Sequence, residues 1–141
     1  MIRVILIVII ALTTLPGLSQ NLKVGDKANG GIVAMVKKKH GLIVSEVHLV
    51  DLNWEQGKRA CSEYRGGGFS DWRLPSRNEI EEIYYTLQST GIVKFESCYY
   101  WSGTENTGIR SLAWSFDFNT GRAYNSHNKE TLKRIIAVRS Y

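Results

Sequence analysis

The residues best able to do chemistry fall in two places. The stretch Asp71-Trp72-Arg73-Leu74-Pro75-Ser76-Arg77-Asn78-Glu79 sets two carboxylates, an indole and a guanidinium close together. Farther on, Arg110, Arg122, Lys129, Lys133 and Arg134 supply cations beside and within a polar segment, Asn125 to Arg134, that reads as a loop. The first group has the residue types of an acid–base site. The second has those of an anion-binding surface, because arginine grips a sulfate or carboxylate through two parallel hydrogen bonds and lysine adds a point charge. Trp101 and Trp114 could stack on sugar rings, although both also suit a core.

Spacing assigns the first group to architecture. Ser76 followed three residues later by Glu79 is a capping box, and Pro75 keeps Leu74 extended just ahead of it. Ile80, Ile83, Tyr84 and Leu87 then form one apolar stripe, with Glu79, Glu81 and Glu82 near the positive end of the helix dipole. In an extended run Asp71 and Arg73 share a face, where they can pair with each other or bond local backbone, while Trp72 and Leu74 point to the core. Asp71, Trp72, Arg73, Ser76 and Glu79 are therefore expected to be scaffold.

Other chemistry finds little support. Cys61 and Cys98 are too few for a cysteine zinc site, and in an oxidising compartment they allow one bridge whose geometry the sequence leaves open. Cys61 falls on the apolar face of a helix, away from the exposure that a reactive thiol needs. His40, His48 and His127 are isolated, with no i, i+4 pair. Glu105 and Asp117 could lie near one another, yet calcium takes roughly six to eight oxygen ligands. No nucleophile elbow or phosphate-binding glycine loop is present, since Gly66-Gly67-Gly68 ends a helix instead of opening one. No cofactor, metal or catalytic set is implied.

The elements that must position these residues read clearly. Two apolar β-branched runs flank Lys37-Lys38-Lys39-His40-Gly41 as a hairpin. Asn53 and Gln56 make a first capping box, and Trp54, Gly57, Cys61 and Tyr64 recur on one helical face. The last third is rich in aromatic and β-branched residues, with a turn at Asn119-Thr120-Gly121. There Ser115 and Asp117 alternate with Trp114, Phe116 and Phe118, as in a half-buried strand. Helices grouped together and strands grouped together argue an α+β fold.

At the N-terminus, Arg3 precedes an apolar run from Val4 to Leu12, followed by Pro16-Gly17 and small residues at Gly17 and Ser19. This is the layout of a secretory signal peptide over residues 1–19, with an apolar region of about 7–15 residues. An uncleaved anchor is the competing reading, although a spanning helix needs roughly 20 apolar residues. Residues 20–141 are expected to form one domain with no further membrane span. The formal charge of +5, one less without Arg3, matters only if the cations cluster. Export and so modest a surplus disfavour nucleic acid.

The segments GGIVAMV, GLIVSEVHLVDLNWEQGKRAC, GGGFSDWRLPSRNEIEEIYYTL, YYWSGTE, LAWSFDFNTGR and IAVRSY occur in this order. Together they resemble the Lcl C-terminal domain family, over roughly Gly30 to Arg139. The resemblance implies a C-type-lectin-like fold, two helices packed on a twisted antiparallel sheet with the N- and C-terminal strands close together. The family includes a bacterial collagen-like adhesin whose C-terminal domain trimerises and binds sulfated polysaccharides. The present chain lacks the collagen-like Gly-X-Y tract, and it lacks the Glu-Pro-Asn, Gln-Pro-Asp and Trp-Asn-Asp motifs of calcium-dependent sugar binding. The sulfatase-modifying enzymes share that core, but their chemistry needs an exposed cysteine pair.

The expected function is thus that of an exported, non-enzymatic binding domain in the periplasm, at the cell surface or outside the cell. Its partner would be an anionic polysaccharide or another surface macromolecule, held by Arg110, Arg122, Lys129, Lys133 and Arg134 if they converge. If they are dispersed they are an ordinary solvated surface. The alternative is a structural or assembly protein of the cell envelope that acts through protein–protein contacts.

Overall fold

The structure is a computed structural model that describes residues 21–38 and 40–141. The leader expected over residues 1–19 lies outside the described residues, as does Lys39. The strands are β1 (Lys27–Ala28), β2 (Gly31–Lys37), β3 (His40–Ser45), β4 (Leu49–Leu52), β5 (Tyr99–Glu105), β6 (Leu112–Asp117), β7 (Arg122–Asn128), β8 (Lys133–Ile135) and β9 (Val138–Ser140). The helices are α1 (Trp54–Glu63) and α2 (Arg77–Ile83), and α2 runs on through a wider turn at Tyr84–Gln88 where the Ser89 N–H donates to the Tyr84 carbonyl at 2.9 Å.

Both helices start as their sequences dictate. Asn53 and Ser76 are N-caps with complete capping boxes to Gln56 and Glu79. Each box satisfies backbone donors that the first turn would leave unpaired. The hairpins at residues 37–40 and 117–122 also form as expected, the second closed by Gly121 at φ 70°. The glycine run differs from expectation. Helix α1 stops at an extended Tyr64, and Gly66–Gly68 forms a separate short turn. The reason for glycine there is backbone contact: a Cβ on Gly67 would lie 2.5 Å from the Gly30 Cα.

Four strands form one sheet in the order β1-β2-β3-β9, and five form another in the order β4-β8-β5-β6-β7. Thus β9 lies beside the N-terminal hairpin, in agreement with the C-type-lectin-like arrangement implied by the resemblance. All pairs are antiparallel except β5 with β8. That exception follows from the chain passing through the whole β6–β7 hairpin before it returns beside β5, which is the long crossover a parallel pair requires. The two sheets meet where the chain bends between them. There the Ser45 N–H donates to the Ala137 carbonyl at 2.8 Å, and the Ala137 N–H donates to Ser45 Oγ at 3.1 Å.

Alternation along these strands splits the apolar residues into two cores. Leu42, Val44, Tyr100, Phe116, Ile136 and Val138 pack with Ile80, Ile83 and Leu87 of the second helix. Ile43, Trp101, Ala113, Ile135 and Ala137 pack with Trp54 and Cys61 of the first. Successive strand side chains point to opposite faces, so one helix covers each side.

Candidate functional site

The side chains of the Asp71–Glu79 stretch are taken up by contacts within the protein. Trp72 and Leu74 are buried, and Trp72 Nε1 donates to the Gly66 carbonyl at 3.1 Å. Arg73 is bridged to β9 by backbone bonds with Val138 of 2.9 and 2.8 Å. Asp71 and Arg73 do not pair with each other, and their partners on β9, Arg139 and Ser140, are successive residues of one strand. Arg73 forks onto both oxygens of Glu79 at 2.7 and 2.8 Å, while Asp71 receives Arg139 at 2.7 and 3.2 Å. The Arg139 guanidinium also lies 3.7 Å from the Phe69 ring centroid.

Two clefts border this scaffold. One of about 270 Å³ is lined by His40, Asn78, Glu79, Glu82 and Ser140 among others. The other, about 250 Å³, is lined by Lys58, Ser62, Trp72, Arg73, Leu74 and Gly103. Neither contains a thiol. Cys61 is fully buried, donates towards the Ile136 carbonyl at 3.8 Å, and has its pKa pushed up to about 12 by burial. Cys98 packs against the opposite core and both cysteines are free, so the Cys61–Cys98 bridge left open by the sequence is not formed. Glu105 and Asp117 fall at opposite ends of the β5–β6 ladder, opposite Ala113 and Tyr99 respectively, and so do not approach one another. Among the described residues no three His, Cys, Asp or Glu side chains gather as a metal-binding set.

The five cations have different fates. The segment expected to be a loop from Asn125 to Arg134 is largely strand, its ends belonging to β7 and β8. Arg134 is held by Asp51 at 2.8 Å and Glu96 at 2.6 Å. Lys129 bonds Glu105 at 2.7 Å and lies 4.2 Å from the Trp54 ring centroid. These two are occupied. Arg110 and Arg122 are exposed and enter no salt bridge among the described residues, Arg110 in the β5–β6 connection and Arg122 at the start of β7. Lys133 is the unusual one. Only 9 % exposed, it has no carboxylate partner among the described residues, and its ammonium lies 4.6 Å from the Tyr99 ring centroid and 5.1 Å from that of Trp101. Burial pushes its pKa down.

Register explains what surrounds it. Tyr99 and Trp101 stand on one face of β5, where they pair with Asp117 and Ser115 of β6, which pair in turn with Arg122 and Tyr124 of β7. An extra residue in β7 makes Ala113 pair with His127 instead of Ser126. Such a bulge re-aims a side chain, here bringing His127 to the same face as Tyr124. Ring centroids of Tyr99 and His127 are 5.1 Å apart, and those of Tyr99 and Tyr124 are 5.8 Å apart. Ser115 Oγ is hydrogen-bonded to His127 Nδ1. Burial, then the Lys133 charge, pushes the His127 pKa down.

The result is a recess with aromatic walls and a lysine floor. Ser115, bonded to His127, and Asp117, which accepts from the Asn119 N–H and Thr120 Oγ1, are buried at 1 % and 6 % exposure, whereas the alternation suggested a solvated polar face. Tyr99 and Tyr124 were not singled out by sequence reasoning, and His127 was set aside as an isolated histidine. The visible signal was period-two spacing in β5, but the bulge that recruits His127 leaves no mark in composition. Trp101, a sugar-stacking candidate, is fully buried, with Nε1 on the Leu52 carbonyl at 3.1 Å. Trp114 is half-buried under Arg77, whose guanidinium lies 4.3 Å from its ring centroid.

Residues 28–139, which hold both the scaffold and the recess, match the family described as the Lcl C-terminal domain. The chain belongs to that family. No curated protein matches the sequence. Among solved structures, this Lcl C-terminal domain is similar to botrocetin, at 12% identity and a TM-score of 0.47, over 80% of this chain and 97% of that one. It is also similar to the snake venom toxin convulxin, at 11% identity and a TM-score of 0.44, over 75% and 92%. Likeness at this level carries no argument about ligand or activity. What the Lcl C-terminal domain offers at its surface is therefore read from its own side chains, and no helix among the described residues is long and apolar enough to cross a membrane.

Proposed function

We propose that this chain is an exported, non-enzymatic binding domain that takes up an anionic polysaccharide on the face of its five-stranded sheet. The observation that carries the reading is Lys133, a nearly buried lysine without a carboxylate partner among the described residues, set beside Tyr99, Tyr124 and His127. A buried charge is costly when unpaired, and ring faces offset that cost only in part. An incoming anion relieves it, while tyrosine rings supply flat apolar surface for a sugar. Arg122 stands on the same face across two strands, ready for a further acidic group.

The non-enzymatic part of the proposal is supported by how the reactive groups are used. The Cys61 thiol is closed off and protonated, and Asp71 and Glu79 are bound to arginines. Export is supported by the leader-like pattern of residues 1–19.

The test is retention of the purified protein on immobilised heparin and on a uronic-acid polymer over a salt gradient. Retention should fall with salt, and Lys133→Met and Arg122→Ala should each elute earlier. Arg110→Ala, in the β5–β6 connection and outside the β7–β8 face, should elute unchanged. No retention on either polymer at low salt would overturn the reading and leave envelope assembly through protein contacts as the alternative.

A further inference from the structure

We propose that the recess reads one acidic pyranose unit, with its carboxylate or sulfate on the Lys133 ammonium and its ring against Tyr99 and Tyr124. This rests on the reading of the sheet face as a glycan surface, and it adds which part of the polymer is recognised and by which groups.

The charge distribution points to a single acidic group. A surface that tracks charge density needs a row of free cations, yet the basic residues flanking Lys133 in sequence are already neutralised. Lys129 is held by Glu105, and Arg134 is held by both Asp51 and Glu96. Of these three Lys133 is the one without a carboxylate among the described residues, and little of it reaches the surface. Beside Lys133 a dense polyanion meets no second unpaired cation among the described residues, and a neighbouring unit meets Arg122 only across two strands. A single acidic group on a ring, by contrast, can place that group on the ammonium and lose little else.

The walls point to a sugar and not to a bare anion. Tyr99 is 37 % exposed, and its ring meets Tyr124 and His127 edge-on, at 65° and 87°. These rings form an apolar margin around the cation. His127 adds a second polar contact, which a small anion seated on Lys133 need not reach but a sugar ring can span. Ser115 occupies Nδ1 and thereby leaves Nε2 as the free ring nitrogen, suited to a hydroxyl. Ammonium, ring and imidazole nitrogen together match a carboxylate, a pyranose face and a hydroxyl.

The experiment is an NMR titration of the full chain with sodium glucuronate, glucose and sodium acetate, each at constant ionic strength. Glucuronate should shift the Tyr99, Tyr124 and His127 resonances and bind at least about tenfold more tightly than either glucose or acetate, the scale of one charge-assisted bond. Lys133→Met keeps the buried stem and removes the charge, and it should abolish that preference while leaving the amide spectrum dispersed. Tyr99→Ala should weaken glucuronate and leave acetate unaffected. Acetate binding as well as glucuronate, or glucuronate binding unchanged in Lys133→Met, would overturn the inference. Retention on the polymer columns that survives Lys133→Met would also overturn it, yet would leave an anionic-glycan role standing. Failure of every anion, polymeric or small, would remove both.

Discussion

Arg139 of β9 grips Asp71 with Nε and Nη2 at 2.7 and 3.2 Å, a forked bond between residues 68 positions apart. Its guanidinium is nearly buried over Phe69, whereas Asp71 is about half exposed. Removing the carboxylate leaves a covered charge with a poorer acceptor. Asp71→Asn should therefore cost about 1–2 kcal/mol, the lower range reflecting solvent around Asp71. Lys27→Ala, which breaks the exposed pair with Glu46, should cost less than about 1 kcal/mol. Urea unfolding of both variants checks the order.

Acid should unfold the protein through the same scaffold. The hydrogen bond from Arg139 holds Asp71 below the usual carboxylate range. Burial works to raise Glu79, but the bond from Arg73 and the Ser76 amide outweigh it and hold it low. Both folded values are depressed, so their stabilisation is complete above the unfolded values near about 4 and is lost as pH falls through the folded ones. The midpoint temperature should fall steeply below roughly pH 4, and Glu79→Gln should flatten that fall. An identical pH slope in Glu79→Gln would contradict the assignment.

Two neighbouring glycines separate backbone strain from contact. Gly67 and Gly68 have φ of 64° and 80°, so alanine is disfavoured at either. A Cβ at Gly67 would lie 2.5 Å from the Gly30 Cα, whereas at Gly68 it would meet nothing within 4 Å. Gly68→Ala should cost about 1 kcal/mol and Gly67→Ala clearly more, because backbone must move. Thermal unfolding of the pair measures the difference.

The thiols should label in a fixed order. Cys61 is buried, with its pKa at about 12, while Cys98 is only partly covered and is raised chiefly by burial. A thiol reagent at neutral pH should modify Cys98 first and reach Cys61 only on unfolding. Equal rates under native conditions would count against the packing described.

His127 gives a spectroscopic handle on the recess. Burial first and the Lys133 charge second push its pKa below the ordinary histidine value. Lys133→Met should raise it part of the way, since burial persists, and a bound anion should raise it too. By linkage, anion affinity should increase as pH falls through the His127 transition. An NMR titration of the imidazole, with and without glucuronate, reads all three effects.

What could be read in the sequence was local. The boxes at Asn53–Gln56 and Ser76–Glu79 and the turn at Asn119–Gly121 depend on residues a few positions apart, and each formed as expected. Partner choice was not local. Nothing within ten residues of Asp71 marks Arg139 as its mate, and nothing near Lys129 or Arg134 reveals Glu105, Asp51 or Glu96. The recess was the least legible part. It is assembled from four strands, and it depends on one surplus residue in β7 that turns His127 over. The cations could be named from composition, but which of them remained free depended on sheet order.

The neighbour that closes β3 is supplied by residues most of the chain later, where Leu42, Ile43 and Val44 pair with Ser140, Arg139 and Val138. Until that late segment arrives, an apolar strand edge stays open to any other extended peptide. Folding is consequently slow to commit, and a cut just before Val138 would do more than shorten the molecule: it would leave a template for aggregation.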